Sequence, residues 1–454
     1  MKQHVCATLC LVGLLACSQG EPPARSGGAS EVTPGRYSIL LITLDTTRAD
    51  HLEPYGAKDV ETPFLAELAD RGIVFDHAVA TAPVTGPTHA SLLTGLNPMR
   101  HGVRNNLTHY LGDEIPTVTE WLSDAGYRTA AFVSAVVLEG RYGFDQGFDT
   151  YDDDLRSADR GGVSTNIAER SAESTADRAL AWLDGLTSDE PFFLWVHFYD
   201  PHTPYSPPSP WAEKYQDRPY DGEIAYMDSQ IGRLLQHSQA VQNDVVVFAI
   251  GDHGEGLGDH GEQEHGLLIY ESTIRVPWIV KLPRGPAGIR VSAPISQVDL
   301  VPTILETVSV EPHSSLGALE GRSLLPLLRG DDWTSDRLLF SETEVPFFSY
   351  GWARLRSVRQ AAVKYIDAPV EELYELESDP TENNNIAAHR EAESRRLAEE
   401  IAAWSARASE TESAPPVDAE TEAMLRALGY SAGDPGRPEG EGHGNPVELI
   451  AVHE

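Results

Sequence analysis

The sequence predicts an α/β protein built on a doubly wound, mostly parallel sheet, with a smaller C-terminal α+β subdomain. Three observations carry that expectation. Residues 37–44 form a continuous apolar run ending at Asp45, the mark of a strand buried on both faces. Helical patterns alternate with such runs along the following residues. Near the C-terminal end, residues 356–366 instead alternate apolar with polar, as antiparallel strands do. At 454 residues the chain can bury a sizeable core and hold one large domain plus a smaller one.

The first segment is a leader. Lys2 gives a short positive start, residues 5–16 are apolar, and Leu14-Leu15-Ala16-Cys17 closes the run. The run is too short to span a bilayer and reads as a secretory signal. Its last four residues resemble a bacterial lipobox, so residues 1–17 are expected to be a lipoprotein signal peptide with Cys17 as the lipidated residue. Ser18 and Gln19 follow, without the aspartate that signals inner-membrane retention. The expected location is the cell envelope, as an outer-membrane lipoprotein facing periplasm or exterior; the alternative is cleavage and secretion. The three cysteines, Cys6, Cys10 and Cys17, all lie in this leader, which leaves the mature body without a disulfide. Residues 18–35 are rich in Gly, Pro, Ser and Ala and read as a flexible tether.

The large domain is placed at 36–320. Helical patterns cover 62–71, 117–125, 221–237 and 297–307. Strand-like runs cover 128–133, 191–198, 244–250 and 276–282. The smaller subdomain is placed at 321–410 and ends in a helix over 389–407, with Leu397, Ile401 and Trp404 on one face. Residues 411–454 are expected to be a mostly disordered tail apart from a short helix over 418–428.

Composition narrows the partners. Seventy acidic residues against 34 basic ones give a formal charge of −36. Such a field repels nucleic acid and anionic membranes, so nucleic acid is excluded and membrane contact is left to the anchor on Cys17. An anionic substrate needs local positive charge. The densest basic stretch is Arg354, Arg356, Arg359 and Lys364, an anion contact or simply solvated strand positions.

Candidate chemistry sits at strand ends, where open α/β sheets bind ligands. Asp45 ends the first strand, and Asp252-His253 follow the strand at 244–250 between glycines that permit a tight turn. Two carboxylates and an imidazole suit a divalent cation, with Ca, Mn, Zn and Mg all open. Thr85 precedes an apolar helix whose expected first residue is Pro87. A hydroxyl there meets unpaired N–H groups and the positive end of the helix dipole, which suits a nucleophile attacking a charged ester. The plain alternative is an ordinary capping threonine.

Taken together, Leu44-Asp45-Thr46-Thr47-Arg48-Ala49-Asp50, residues 83–95, Arg100-His101-Gly102-Val103, Asp200-Pro201-His202-Thr203-Pro204-Tyr205, residues 251–255, Tyr270-Glu271 with Arg275-Val276-Pro277, Val363-Lys364-Tyr365-Ile366, Glu372-Leu373-Tyr374 and Asp379-Pro380-Thr381-Glu382 occur in one order over residues 36–390. In these motifs the chain resembles the sulfatase family of the alkaline phosphatase superfamily. The resemblance implies that fold and a sulfatase-like hydrolase of phosphate or sulfate esters. It implies metal ligation by Asp45, Asp252, His253 and Thr85, with Thr85 as the metal-activated nucleophile forming a covalent intermediate. Thr85 stands where sulfatases carry the cysteine or serine that becomes formylglycine, so no formylglycine is expected. His89 stands where an arginine is usual, and Thr46 replaces an aspartate that often ligates. Phosphodiesterase and phosphoethanolamine-transferase relatives use threonine, which tilts the reading toward phosphate.

By the same resemblance His202, His265 and His89 are catalytic candidates, with His202 as general acid for the leaving alkoxide. Asn106, His202 and His265 are candidates for substrate contact, and His265 stands near a usual lysine. His101 and His260 are expected to be structural. Asp200, His202 and His265 are a possible second cation set. The expected substrate is a small-molecule, glycan or lipid-linked anionic ester. Alternatives are a phosphoryl-type transferase, against which the lack of several predicted spans counts, and a non-catalytic ligand-binding protein of the same fold.

Overall fold

The computed structural model describes residues 35–155, 169–187, 190–241, 244–312, 318–329, 336–408 and 442–453. The leader, Cys17, residues 18–34 of the tether and the predicted helix at 418–428 lie outside the described residues.

The main sheet contains β1 (Ser38–Leu44), β2 (Ile73–Val79), β3 (Arg128–Phe132), β4 (Thr150–Asp152), β5 (Phe192–Phe198), β6 (Val245–Gly251), β7 (Arg275–Lys281), β8 (Ile289–Val291) and β9 (Ile295–Ser296). The order is β4-β3-β5-β1-β6-β7-β2-β8, with β9 also pairing with β2. From β4 to β6 every pair is parallel. The run expected at 276–282 forms β7 but runs antiparallel to both β6 and β2. The connection from β6 holds only short helical turns before β7, and no crossover helix carries the chain back across the sheet.

The apolar runs lack alternation because both faces are covered. Ile39 and Leu41 of β1 join one core with Val246, Phe248, Phe193 and Trp195. Leu40, Ile42 and Leu44 join a second core with Val247, Ala249, Leu194 and Val196. Helix α1 (Pro63–Asp70) and the helices Ala172–Asp184 and Pro219–Val241 pack on the second face. Helix α2 (Thr85–Thr94) and the helices Val118–Asp124 and Leu300–Val308 pack on the first. A doubly wound α/β architecture results.

Helix α2 starts two residues before the expected Pro87, which becomes its third residue. The first four N–H groups of a helix have no intrahelical acceptor, so a proline there forfeits no bond. Thr85 is therefore in the helix proper, with Val84 as the N-cap.

A second, antiparallel sheet comprises β10 (Leu338–Thr343), β11 (Leu355–Gln360), β12 (Val363–Asp367) and β13 (Glu372–Glu375) in chain order. One face packs through Val358, Tyr365 and Leu373 on Leu397 and Ile401 of the helix Glu391–Ser405. The other face gives Leu339, Leu355, Ile366 and Tyr374 to the main core. The two sheets share that core.

The end of the chain departs from the expected disordered tail. Residues 442–453 are seated on the body. His443 N–H donates to the Gly351 carbonyl at 3.0 Å, and Ala353 N–H donates to the Gly444 carbonyl at 3.0 Å. A helix, Pro446–His453, then places Ile450 in the main core and against Gly261. Val447 and Ile450 supply the apolar surface that composition averaged over the tail conceals.

Candidate metal and nucleophile site

Sheet register makes the site. Leu44 is the register partner of both Phe198 and Gly251, so the residues just beyond them converge. Asp45 and Asp252-His253 are thereby brought side by side and are fully buried. Thr46 sits at φ 47°, turning the chain sharply after β1. Its N–H donates to Asp252 Oδ1 at 3.2 Å, and His253 N–H donates to the same oxygen at 2.6 Å. Asp252 Oδ2 is left facing inward. The Thr46 hydroxyl donates to the Pro201 carbonyl at 2.9 Å and is turned away from the cluster.

His253 Nδ1 lies 2.9 Å from the Gly254 carbonyl, which assigns the proton to Nδ1 and the lone pair to Nε2. That Nε2 lies 3.5 Å from Asp252 Oδ2 and 3.8 Å from Asp45 Oδ1. Thr85 Oγ1 lies 3.2 Å from the same nitrogen and 3.5 Å from Asp45 Oδ2. Asp45 Oδ1 and Asp252 Oδ2 are buried and accept no hydrogen bond among the described residues. Burial raises the proton affinity of Asp45. Burial and then the Asp45 charge raise that of Asp252 further, while burial and then His265 push His253 well down. Two orphaned carboxylate oxygens and an imidazole lone pair, all within 4.8 Å of one another, form a donor set that fits a divalent cation.

His197 completes the cluster and escaped the sequence reading. It sits inside β5, pairs with Thr43 in register, and its Nε2 lies 3.1 Å from Asp45 Oδ2. Its Nδ1 accepts from Ser134 N–H at 3.3 Å, so Nε2 carries the proton and orients Asp45. Burial holds its pKa at about 3, so it is neutral. The available signal was a histidine inside the apolar run Phe192–Phe198.

His89 does not face a substrate as expected. Its Nδ1 donates to the Thr85 carbonyl at 2.8 Å and its Nε2 lies 3.0 Å from Thr43 Oγ1, so both ring nitrogens are used. Its position one turn into α2 makes it a brace behind the nucleophile, neutral through burial with a pKa of about 3. Asn106 Oδ1 accepts from Gly86 N–H at 2.8 Å, which fixes its carboxamide beside Thr85.

His202 and His265 meet edge to face, their rings 5.1 Å apart, and His265 lies 4.4 Å from the His253 ring. Burial and the neighbouring His265 lower His202 to about 4, and its Nδ1 donates to the Thr203 carbonyl at 2.8 Å. His265 behaves oppositely. Burial would lower it, but Glu255 Oε1 at 3.0 Å overcomes that and lifts it to about 9. Tyr205 donates to the other Glu255 oxygen at 3.0 Å. Protonated, His265 would place a positive charge beside the donor set, and Glu255 is its unforeseen partner. Since the raised pKa favours the protonated form, activity that needs that charge is lost as pH rises through about 9. Glu255→Gln removes the raising charge and leaves burial to lower His265. The alkaline limb of kcat/KM against pH is expected to move down by roughly one unit or more; an unmoved limb excludes His265 as the titrating group.

Asp200 is not gathered with His202 and His265. Its Oδ2 accepts from Ala172 N–H at 2.8 Å, at the start of the helix Ala172–Asp184, so the expected second cation set does not close among the described residues. Three residues of the four-residue basic stretch are also committed. Arg359 and Lys364 pair with Glu271 at 3.1 and 3.2 Å, and Arg354 pairs with Glu344 at 3.1 Å.

Residues 38–310 match the family described as sulfatase, and residues 258–406 match the one described as N-sulphoglucosamine sulphohydrolase, C-terminal. The choline-sulfatase of Rhizobium meliloti (strain 1021) is 26% identical over 435 residues, covering 78% of this chain and 83% of the relative. The N-acetylglucosamine-6-O-sulfatase of Bacteroides thetaiotaomicron is 24% identical over 472 residues, covering 77% and 82%. Among solved structures, the phosphonate monoester hydrolase of Agrobacterium radiobacter is 22% identical and superposes with a TM-score of 0.67, covering 82% of this chain and 96% of that one, which establishes the shared fold.

Proposed function

Because the chain belongs to the sulfatase family of ester hydrolases, we propose that it cleaves a monoester of a phosphorus or sulfur oxyacid with Thr85 as nucleophile. The observation that carries this reading is the convergence of Thr85 Oγ1 on His253 Nε2 and Asp45 Oδ2, at 3.2 and 3.5 Å. Asp45, Asp252 and His253 would hold a divalent cation, which when bound lowers the proton affinity of the Thr85 hydroxyl and offsets the charge of the ester.

Thr85 enters as the alkoxide, its proton released to solvent. Its Oγ bonds to the central atom of the ester as the bond to the leaving oxygen breaks. The leaving alkoxide takes the Nε2 proton of His265, whose Nδ1 side is engaged by Glu255. Water then attacks the central atom, passes a proton to the now neutral His265, and the bond to Thr85 breaks. His265 rather than His202 takes the acid role, because burial leaves His202 unprotonated near neutrality. His89 and Asn106 hold the first turn of α2 in place through the Thr85 carbonyl and the Gly86 N–H.

A threonyl ester has no second hydroxyl on its nucleophilic carbon with which to expel the bound oxyanion. Release therefore depends on attack at the central atom, which favours phosphorus over sulfur. The test is a panel of 4-nitrophenyl phosphate, 4-nitrophenyl sulfate and a 4-nitrophenyl phosphonate, assayed with Mn, Zn, Ca or Mg after chelation. Turnover is expected only with added cation and fastest at phosphorus. Full turnover after exhaustive chelation removes the cation from the reading, and sulfate as the sole substrate removes the preference.

A further inference from the structure

Gln297 is fully buried at the start of the turn Gln297–Asp299, directly after β9. β9 runs parallel to β2, with Ile295 beside Ala78 and Ser296 beside Val79, so Gln297 comes level with the chain as it leaves β2 for Thr85. Its carboxamide makes three hydrogen bonds. Oε1 accepts from the Thr81 N–H at 3.0 Å. Nε2 donates to the Gly251 carbonyl at 3.0 Å and to the Asp252 carbonyl at 2.5 Å. These partners also decide which end of the amide is which, since two carbonyls require N–H groups and an N–H requires an oxygen.

The three bonds join the two halves of the site. The Gly251 and Asp252 carbonyls belong to the planar peptide units on either side of Asp252, and the second unit leads into His253. Pinning both units sets how Asp252 and His253 are turned toward each other. Thr81 lies four residues before Thr85, and its hydroxyl donates to Ser91 Oγ of α2 at 2.9 Å. Each loop has other anchors, but they lead apart. The Ala80 and Thr81 carbonyls accept from Ser341 and Glu342 of β10, and the Asp252 N–H donates to Leu44 of β1. The residue type is also demanding. A carboxylate would set an acceptor against two carbonyls, and an apolar side chain would leave all three main-chain groups without this partner.

Resting on the reading of Asp45, Asp252 and His253 as a cation set and Thr85 as nucleophile, we propose that Gln297 is a positioning residue that fixes Thr85 against that set. Its three bonds go to main-chain groups, so it acts through other residues. On one side it holds the peptide units that aim Asp252 Oδ2 and His253 Nε2. On the other it holds the loop that delivers Thr85 to them.

The experiment compares wild type, Gln297→Met, Gln297→Asn and Val298→Ala, all as the full chain. Methionine matches glutamine in length and makes none of the three bonds. Asparagine keeps a carboxamide that is one carbon too short to reach both loops. Val298→Ala trims the neighbouring buried side chain and so reports a loss of packing in the same turn. Mn²⁺ binding is measured by calorimetry, hydrolysis of 4-nitrophenyl phosphate by steady-state kinetics, and folding by melting curves in chelator. Gln297→Met is expected to raise the Mn²⁺ Kd about tenfold and to lower kcat about tenfold or more, with KM within about threefold. Gln297→Asn should show the same pattern and is the variant to read if Gln297→Met does not fold. Val298→Ala should melt earlier, with Kd and kcat within about twofold of wild type. Glutamine variants that melt earlier but stay within that margin make Gln297 a packing residue only; the proposal then falls and the hydrolase reading stands. An equal loss of kcat in Val298→Ala also overturns it. A wild type that binds Mn²⁺ but turns over no ester overturns the hydrolase reading, and the shift in Kd alone then decides the role of Gln297. If wild type does neither, a crystal structure of Gln297→Asn decides. Thr85 Oγ1 still 3.2 Å from His253 Nε2 overturns the proposal, and a separation beyond hydrogen-bond reach supports it.

Discussion

Thr85→Ala is expected to lower kcat by about three orders of magnitude or more, with the fold and the cation site intact. The substitution deletes the hydroxyl that lies within reach of both His253 Nε2 and Asp45 Oδ2. It leaves the Asp45, Asp252 and His253 donor set untouched, so the thermal shift on adding cation should persist. It also leaves the Thr85 carbonyl, and with it the His89 brace. Thr85→Ser keeps the oxygen and loses one buried methyl, so it should recover a substantial part of the rate. Purified Thr85→Ala protein assayed against wild type decides the matter; residual turnover above about a tenth of wild type would take Thr85 out of the reaction.

The second large effect is a change of sign. In the absence of cation, Asp252→Asn is expected to stabilise the protein by roughly 1–3 kcal/mol, the range for relieving a buried charge that lacks a partner. The asparagine Oδ1 keeps both bonds that Asp252 Oδ1 accepts, from Thr46 and His253 N–H. Its amide then faces Asp45 Oδ1, which accepts no hydrogen bond among the described residues. With saturating cation the order reverses. Wild type gains about 4 kcal/mol at a thousandfold excess over Kd, and the variant gains little. Proton linkage gives an independent check. Burial raises both Asp45 and Asp252, so the metal-free protein binds protons more tightly folded than unfolded. Its stability should therefore fall as pH rises above the ordinary carboxylate range, and Asp252→Asn should flatten that decline. Melting curves with and without chelator across pH test it; a destabilised metal-free variant would mean that the two carboxylates do not oppose each other.

The parts of this protein that were readable in sequence are those fixed by burial on both faces. Uninterrupted apolar runs marked β1, β5 and β6, and the aspartates just beyond β1 and β6 marked the ligand end of the sheet. What sequence does not carry is register and partnership. Nothing local says that Leu44 pairs with both Phe198 and Gly251, the alignment that turns separate strand ends into one cluster. His197 is hidden because a histidine in an apolar run looks like core until Asp45 is known to lie beside it. Five of the histidines around the site, His89, His197, His202, His253 and His265, differ in charge through their neighbours, and Glu255 does most to set His265 apart. The direction of β7 was equally unreadable, since an apolar run is the same read either way.

The path by which the chain enters the body also fixes how the molecule faces the world. Gly35 leads into β1 at its amino end, whereas Asp45 lies beyond the carboxyl end, about 20 Å along the strand. Anything that holds this protein by its front end therefore grips the floor of the sheet and turns the mouth outward. Immobilised that way, it would turn the Asp45, Asp252 and His253 end of the sheet away from the support, whereas a handle joined after His453 would leave from the helix seated on Gly261.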